Sequence, residues 1–257
     1  MPRTVLALSL VAAVTAADPS SARHPPLPGP TVALELATGS LEVELVPDRG
    51  SPLPLETTDG RRWLLRGDTS ELIGRSYSIE LANRSPERLK VVVSVDGLNV
   101  YDRVPVIGRS DRDVGSILGP WSERSLRGWQ VGDEVAERFV LAPPEWSEGR
   151  GVTDDAIGLV EVHVYRERWV EPVRDRAVAG KGSDQTRRST AESVAAPAPG
   201  LGTSSGEEVS SPVRVVRFDA RTVWPEARAE LDYGCRREWA AARRSPVCPC
   251  SSCGSSD

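Results

Sequence analysis

The stretch VVVSVDGLNVYD, residues 91–102, is the most regularly patterned part of the chain. Valines at every second position from 91 to 95 predict a β-strand, because alternate side chains of a strand point to the same face. Asp96-Gly97 follows, and Asp-Gly is a strong signal for a two-residue type I′ hairpin turn. The pattern therefore predicts a hairpin in which Val95 faces Leu98 and Ser94 faces Asn99.

The acidic residues of this stretch raise two other readings, a metal loop and a catalytic carboxylate site. A helix-loop-helix calcium site needs oxygen ligands at alternate positions and a closing Glu at the twelfth, and residues 96–102 supply neither. The sequence favours a structural turn at Asp96 and predicts no metal and no cofactor.

The same kind of alternation recurs along the chain, with Gly, Pro, Asn, Asp or Ser in nearly every gap. Residues 171–211, in contrast, contain few large apolar side chains, so we predict a disordered insertion there, including the Gly-rich residues 200–206. The fold prediction is all-β, a single antiparallel β-sandwich of roughly ten strands with a long disordered insertion. The sandwich is assigned to residues 31–170 and 212–234. Its predicted strands include 32–36, 41–45, 62–65, 77–82, 89–95, 98–101, 122–126, 137–141, 157–166, 213–218 and 228–233.

The two ends of the chain indicate where the protein works. Residues 1–17 combine Arg3 with an apolar run and small residues ending in Ala16-Ala17, the pattern of a secretory signal peptide, and a Pro-rich linker follows at 18–30. We expect an exported protein, periplasmic or extracellular, with no membrane span. Nearly all the cations are arginine, with Lys90 and Lys181 the only lysines, which indicates a GC-rich bacterial genome.

The net charge of −5 and the pI near 5.3 predict no basic face and therefore no nucleic-acid partner. Catalysis has one weak candidate site. Glu161 and His163 lie two residues apart on a predicted strand and so share a face, where they form either an acid–base pair or an ordinary polar sheet surface.

Seven Trp against two Phe is an unusual aromatic content. Some of these indoles are expected in the core, but Trp at strand ends also presents a flat apolar face beside an N–H donor. Trp121 and Trp129, which flank the predicted strand 122–126, are the leading candidates for a ligand platform, for a glycan or another extended polymer.

The tail, residues 235–257, contains all four cysteines, Cys235, Cys248, Cys250 and Cys253. An even number of cysteines in an exported protein favours disulfides, in which Cys235 pairs with a tail cysteine. A tetrahedral metal site and an unstructured low-complexity end remain the alternatives.

Several segments together resemble a family of uncharacterised exported bacterial proteins. The similar segments are VVVSVDGLNV (91–100), ILGPWSERSLRGW (117–129), ERFVLA (137–142), IGLVEVHVYRE (157–167), GTSSGEEVSSPVRVVRF (202–218) and LDYGCRREW (231–239). The resemblance spans residues 77–239. It implies an all-β domain and export, and it implies no activity, ligand or catalytic residue.

Two classes of function follow from these observations. The first is a non-catalytic envelope or extracellular protein that binds a protein partner or a surface polymer, with the Trp-based carbohydrate-binding module as a variant of it. The second is a hydrolase of envelope polymers that uses His163 and Glu161. The sequence favours the non-catalytic protein and does not predict its oligomeric state.

Overall fold

The computed structural model describes residues 31–49, 52–57, 61–65, 70–106, 111–168 and 200–234. These residues form fourteen strands and three short 3₁₀ helices, without any α-helix. The strands are β1 (Val32–Leu36), β2 (Gly39–Pro47), β3 (Leu55–Thr57), β4 (Arg62–Leu65), β5 (Ser76–Arg84), β6 (Leu89–Val95), β7 (Leu98–Asn99), β8 (Ser116–Leu118), β9 (Glu123–Leu126), β10 (Gly128–Gln130), β11 (Val135–Ala142), β12 (Leu159–Arg166), β13 (Gly202–Ser210) and β14 (Ala227–Asp232). The 3₁₀ helices are Ser70–Leu72, Pro144–Trp146 and Asp154–Ala156.

The strands form two sheets of seven. Sheet A runs in the order β1-β2-β5-β11-β10, with β13 also paired to β11 and β9 also paired to β5. Sheet B runs in the order β3-β4-β14-β12-β6-β7, with β8 also paired to β6. All pairs are antiparallel except β14 with β4. The prediction of an all-β sandwich is confirmed.

The core lies between the two sheets and is one continuous cluster of apolar side chains. Strand β6 is buried at every residue, because it lies inside sheet B between β12 on one side and β7 and β8 on the other. Its alternate valines Val91, Val93 and Val95 belong to the core cluster, as do Val160 and Val162 of β12. Each such side chain stabilises the fold by about 1.5–3 kcal/mol when fully buried.

The hairpin after β6 has the predicted register. Val95 pairs with Leu98 and Ser94 pairs with Asn99, while Asp96 and Gly97 occupy the turn with φ of 49° and 80°. Positive φ at both central residues is what a type I′ turn requires. The prediction of a hairpin turn at Asp96-Gly97 is confirmed.

The predicted disordered insertion, 171–211, is wrong in its last part. Residues Gly202–Ser210 form β13, which pairs with β11 from Ala142 to Val135. These residues are polar, but they occupy an edge strand whose backbone hydrogen bonds come from a neighbour with a strongly apolar sequence. Residues 171–199 lie outside the described part of the chain, as do the predicted signal peptide and linker.

The predicted strand at 213–218 is also not formed. Residues 211–219 run from sheet A to sheet B without a turn or bend and belong to no sheet. Val213 donates its N–H to the Asp133 carbonyl at 2.7 Å, and Arg168 donates to the Asp219 carbonyl at 2.7 Å. The segment is therefore held at both ends, and it pairs with none of the fourteen described strands.

A close backbone approach at Gly128 fixes the junction of β9 and β10. β9 pairs with β5 and β10 pairs with β11, so the chain changes partners within two residues. A Cβ added at Gly128 would lie 1.9 Å from the Glu137 carbonyl oxygen. This obstacle is backbone inside a sheet, which cannot rotate away.

We expect Gly128→Ala to lower the free energy of unfolding by about 2–3 kcal/mol through overpacking. Gly132→Ala is the matched control, since a Cβ there meets nothing within 4 Å, and its effect should stay below about 0.5 kcal/mol. Urea unfolding followed by tryptophan fluorescence measures both. Equal stability of the two variants would contradict the packing described here.

Candidate functional site

The side chain of Asp96 is fully buried and accepts four hydrogen bonds. Oδ1 accepts from the Gly158 N–H at 2.8 Å and from the Tyr233 hydroxyl. Oδ2 accepts from the Thr203 N–H at 2.6 Å and from the Ser147 hydroxyl. We call these five residues the Asp96 network. Its members come from both sheets and from the loop between β11 and β12.

Thr203 links the network to Tyr233 a second time and also to Tyr77 of β5 in sheet A. The Thr203 hydroxyl contacts the Tyr233 hydroxyl at 2.6 Å and the Tyr77 hydroxyl at 2.8 Å. Burial raises the pKa of both tyrosines well above the usual range. Both phenols therefore stay protonated and act as neutral hydrogen-bonding groups.

The pKa of Asp96 is raised from the usual range of a carboxyl group. Burial is the main cause, and the hydrogen bonds from Ser147, Tyr233, Thr203 and Gly158 oppose it. The folded state therefore holds a proton on this carboxyl more tightly than the unfolded chain does.

Glycines allow the backbone to approach Asp96 closely. A Cβ at Gly149 would lie 2.4 Å from the Asp96 carbonyl oxygen, and one at Gly202 would lie 2.8 Å from the Ser147 Cβ. Gly158 has φ of 83°, and a Cβ there would lie 2.4 Å from the Gly234 Cα. The network is thus closed by packed backbone. In the described residues no group of three or more His, Cys, Asp or Glu could hold a metal.

The sequence missed this network because Asp96 alone suggests no more than an exposed turn. Its donors lie 51 to 137 residues further along the chain. One signal was available: a glycine lies at or within two residues of each donor, as Gly149 does for Ser147, Gly202 for Thr203 and Gly234 for Tyr233. Such glycines mark positions where backbone approaches a neighbour closely.

The structure does not favour the acid–base role of Glu161 and His163. Both lie on β12 in the middle of sheet B, where His163 pairs with Val92 on one side and Arg228 on the other. His163 is only 5% exposed. An imidazole in that position has little access to a substrate.

The prediction of a Trp121–Trp129 platform is wrong for Trp129. Its indole is fully buried, packs edge-on against Phe139 at 5.2 Å and lies under the Arg103 guanidinium. It fills the core because Gly128 brings β10 against β11. Trp121 is 42% exposed and has a φ of 57°, so it keeps one accessible face but has no partner in Trp129. The four cysteines all lie outside the described residues.

Two adjoining cavities form an open groove, the larger against β6 and β8 of sheet B and the smaller against β9, β10 and β13 of sheet A. Their volumes are about 760 and 250 Å³. Both are lined by Tyr101, Arg124, Pro212 and Val213, so they adjoin each other. Residues 111–115 line one part of the groove and residues 212–216 line another. We call it the basic groove, because most of its charged lining residues are cations.

Six cations and two carboxylates line the basic groove. They are Arg88, Lys90, Arg112, Arg124, Arg127, Arg214, Asp111 and Asp113. The acidic net charge of the chain had predicted no basic face, and that prediction is wrong locally. It failed because a net charge sums over the whole surface, whereas these cations are brought together from distant parts of the sequence.

Lys90 is the buried cation of the groove. Its ammonium group donates to the carbonyl oxygens of Asp111 and Asp113 and lies 5.2 Å from the centre of the Tyr165 ring. Burial lowers its pKa from the usual range. The lysine thus ties the loop before β8 to the outer face of sheet B.

No carboxylate in the described part of the chain lies within ion-pair distance of Arg124, Arg127 or Arg214. Outside the groove, four arginines each contact two carboxylates. Those four are Arg84, Arg103, Arg138 and Arg166. The groove therefore carries positive charge that the folded domain does not neutralise.

Comparison of the chain with protein-family models, with curated proteins and with solved structures finds no match. The resemblance to exported bacterial proteins therefore stays a prediction. Within the described ranges, no helix has the length and apolar character needed to cross a membrane.

We expect Asp96→Asn to lower the free energy of unfolding by about 2–4 kcal/mol. Each carboxylate oxygen accepts one backbone N–H, from Gly158 or Thr203, and a backbone donor cannot be reversed. Asn replaces one of the two oxygens with an NH₂ group. That donor then points at one of the two backbone N–H donors, which is left without an acceptor. Asp102→Asn is the control, because Asp102 is exposed and, among the residues that the structure describes, accepts only the Val104 N–H. Comparable losses in both variants, measured by urea unfolding, would contradict a special role for Asp96.

The raised pKa also gives the stability a defined pH dependence. Asp96 contributes stability that is fully present below the pKa of the unfolded chain and is lost as the pH rises through the folded pKa. The stability difference between the wild type and Asp96→Asn should therefore be largest in acid and should shrink as the pH rises. A difference that grows with pH would show that the folded pKa is depressed instead.

Proposed function

We propose that this chain is a non-catalytic exported protein that binds an extended anionic partner in the basic groove. The observation that carries the proposal is the set of three arginines, Arg124, Arg127 and Arg214, that line one open groove without a carboxylate partner among the described residues. Opposite charge across a binding surface steers association and selects partners.

The geometry supports an extended ligand over a compact one. The two cavities share four lining residues; the smaller one also includes Gln130 and Ser210 and the larger one Arg88 and Phe218, so the combined groove is longer than either cavity. Polar and charged groups are spread along this length. Positive charge at intervals along a groove matches a chain with repeated negative charge.

The proposal does not depend on a reactive group. Asp96, whose pKa is raised by burial, is buried and accepts four hydrogen bonds, and His163 is buried in sheet B. Both are accounted for by the fold. This favours the binding role over the envelope hydrolase that His163 and Glu161 had suggested.

A glycan is the second candidate ligand, and it has a different location. Trp224 is 65% exposed and lines a separate cavity of about 650 Å³ together with Arg61 and Glu226. An exposed indole beside charged hydrogen-bonding groups suits a sugar ring. The cavity beside Trp224 is therefore the candidate glycan site in place of a Trp121–Trp129 platform, because Trp129 is buried.

We expect Arg124→Gln/Arg127→Gln to weaken binding of fluorescent poly-L-glutamate or alginate by about tenfold or more. Arg49→Gln/Arg75→Gln removes the same charge from exposed positions that do not line the groove, and it should bind like the wild type. Fluorescence anisotropy at low and high salt measures both, and wild-type binding should weaken with salt.

Equal weakening in the two double variants would mean that binding follows net charge, and it would overturn the groove. Single-stranded DNA and a neutral glucan belong in the same panel. Selective binding of the glucan, abolished by Trp224→Ala, would replace the proposal with the glycan site.

A further inference from the structure

Arg214, Val215 and Val216, which line the basic groove, belong to a short extended segment that pairs with no strand of the described residues. Residues Arg214, Val215, Val216 and Arg217 follow Val213, which is bonded to Asp133, and precede Asp219, which is bonded to Arg168. We call these four residues the RVVR segment. Between the two fixed ends the chain has no turn or bend.

The backbone of the RVVR segment is largely unpaired. Within the described residues, none of its four N–H groups donates a hydrogen bond, and the only carbonyl that accepts one is that of Arg217, from the Arg88 guanidinium at 3.4 Å. All four residues are exposed, Val215 at 96% and Val216 at 42%. An exposed row of unpaired N–H and C=O groups is a template for another extended chain.

The amino-acid sequence of this segment suits a strand. VRVVRF is rich in β-branched residues and alternates well enough that the sequence alone predicts a strand at 213–218. Within the described ranges no neighbouring strand supplies hydrogen bonds to this segment, so the strand is not formed. A partner that supplies them would complete it, which is the β-augmentation mode of peptide recognition.

The charges argue against a second copy of this chain as the partner. In an antiparallel pair of two RVVR segments, Arg214 of one copy lies opposite Arg217 of the other, and Val215 lies opposite Val216. Like charges directly opposite each other in a sheet destabilise the pair. An acidic residue at each of those positions stabilises it instead.

The rest of the groove agrees with an acidic peptide. Arg124 and Arg127 carry further unneutralised charge along the same groove. The two valines offer apolar contact between the cationic positions. A polysaccharide can neutralise the arginines, but it has no regular ladder of N–H and C=O groups to match the backbone of the RVVR segment.

We propose that the RVVR segment pairs through its backbone with an extended peptide of the pattern acidic–apolar–apolar–acidic, which becomes an added strand along the basic groove. This inference rests on the proposed function and names its ligand as a polypeptide. The recognition elements are the unpaired backbone of residues 214–217 and the flanking side chains of Arg214 and Arg217.

The experiment uses the full chain and three short fluorescent peptides of equal length. One contains Glu-Val-Val-Glu, the second has the same sequence with both valines N-methylated, and the third contains Lys-Val-Val-Lys. N-methylation removes backbone donors and keeps the charge. We expect the first peptide to bind, the second to bind at least about tenfold more weakly, and the third not to bind.

Two variants of the chain give the complementary test. Val215→Pro removes a backbone donor at a fully exposed position, and it should lose the Glu-Val-Val-Glu peptide but keep alginate. Val215→Thr keeps the donor and the β-branched shape, and it should keep both ligands. Arg214→Glu/Arg217→Glu should prefer the Lys-Val-Val-Lys peptide.

The outcomes separate the two proposals. Equal binding of the methylated and unmethylated peptides, with the groove arginines still required, would overturn backbone pairing and leave the anionic groove in place. Binding of alginate alone would do the same and assign the groove to a polysaccharide. Dimerisation that Val215→Pro abolishes would overturn the argument against a second copy. If Arg124→Gln/Arg127→Gln still binds both the Glu-Val-Val-Glu peptide and alginate as the wild type does, the proposed function itself is overturned.

Discussion

The buried carboxylate of Asp96 is the constraint on which the arrangement of the sheets depends. Its four donors come from the loop after β11, from the residue before β12, from β13 and from the residue after β14. One side chain thereby joins the edge of sheet A to the end of sheet B, and it holds residues on both sides of the segment 171–199. A buried carboxyl group is tolerated only when its hydrogen-bonding capacity is filled, so each of those segments has to arrive with its donor in place.

The local part of this arrangement could be predicted from the sequence, and the long-range part could not. Alternating valines and an Asp-Gly pair define a hairpin within twelve residues, since both strand periodicity and turn geometry are short-range properties. The same residues do not reveal that Asp96 points inward. Its burial follows from Ser147, Thr203 and Tyr233, whose positions depend on the whole topology. Only the glycines beside these donors indicated a close approach, and a single glycine is equally typical of a simple turn.

Two neighbouring segments show why apolar content alone misplaces strands. β13 is polar and looked disordered, yet it pairs with the full length of β11, because an edge strand needs a neighbour more than it needs apolar side chains. The RVVR segment has the better strand sequence but lies in no sheet of the described chain. β-propensity indicates that a segment can form a strand, but the strand forms only where a neighbouring strand supplies hydrogen bonds. Where a strong local preference is left unfulfilled in a folded domain, a functional reason is the first to consider.

The charge distribution of the surface also depends on which residues the fold brings together. An acidic chain carries a basic groove because Arg124, Arg127 and Arg214 meet there without a carboxylate partner in the described residues, whereas Arg84, Arg138 and Arg166 each contact two carboxylates. The RVVR segment is held in extended form by bonds at Val213 and Asp219 before any ligand arrives. A partner strand then meets a backbone whose ordering entropy has already been lost on folding, so that only the ligand has to be ordered on binding. Preorganisation of this kind favours a short acidic strand over a flexible contact, and the exposed arginines at its two ends set the charge that such a strand must carry.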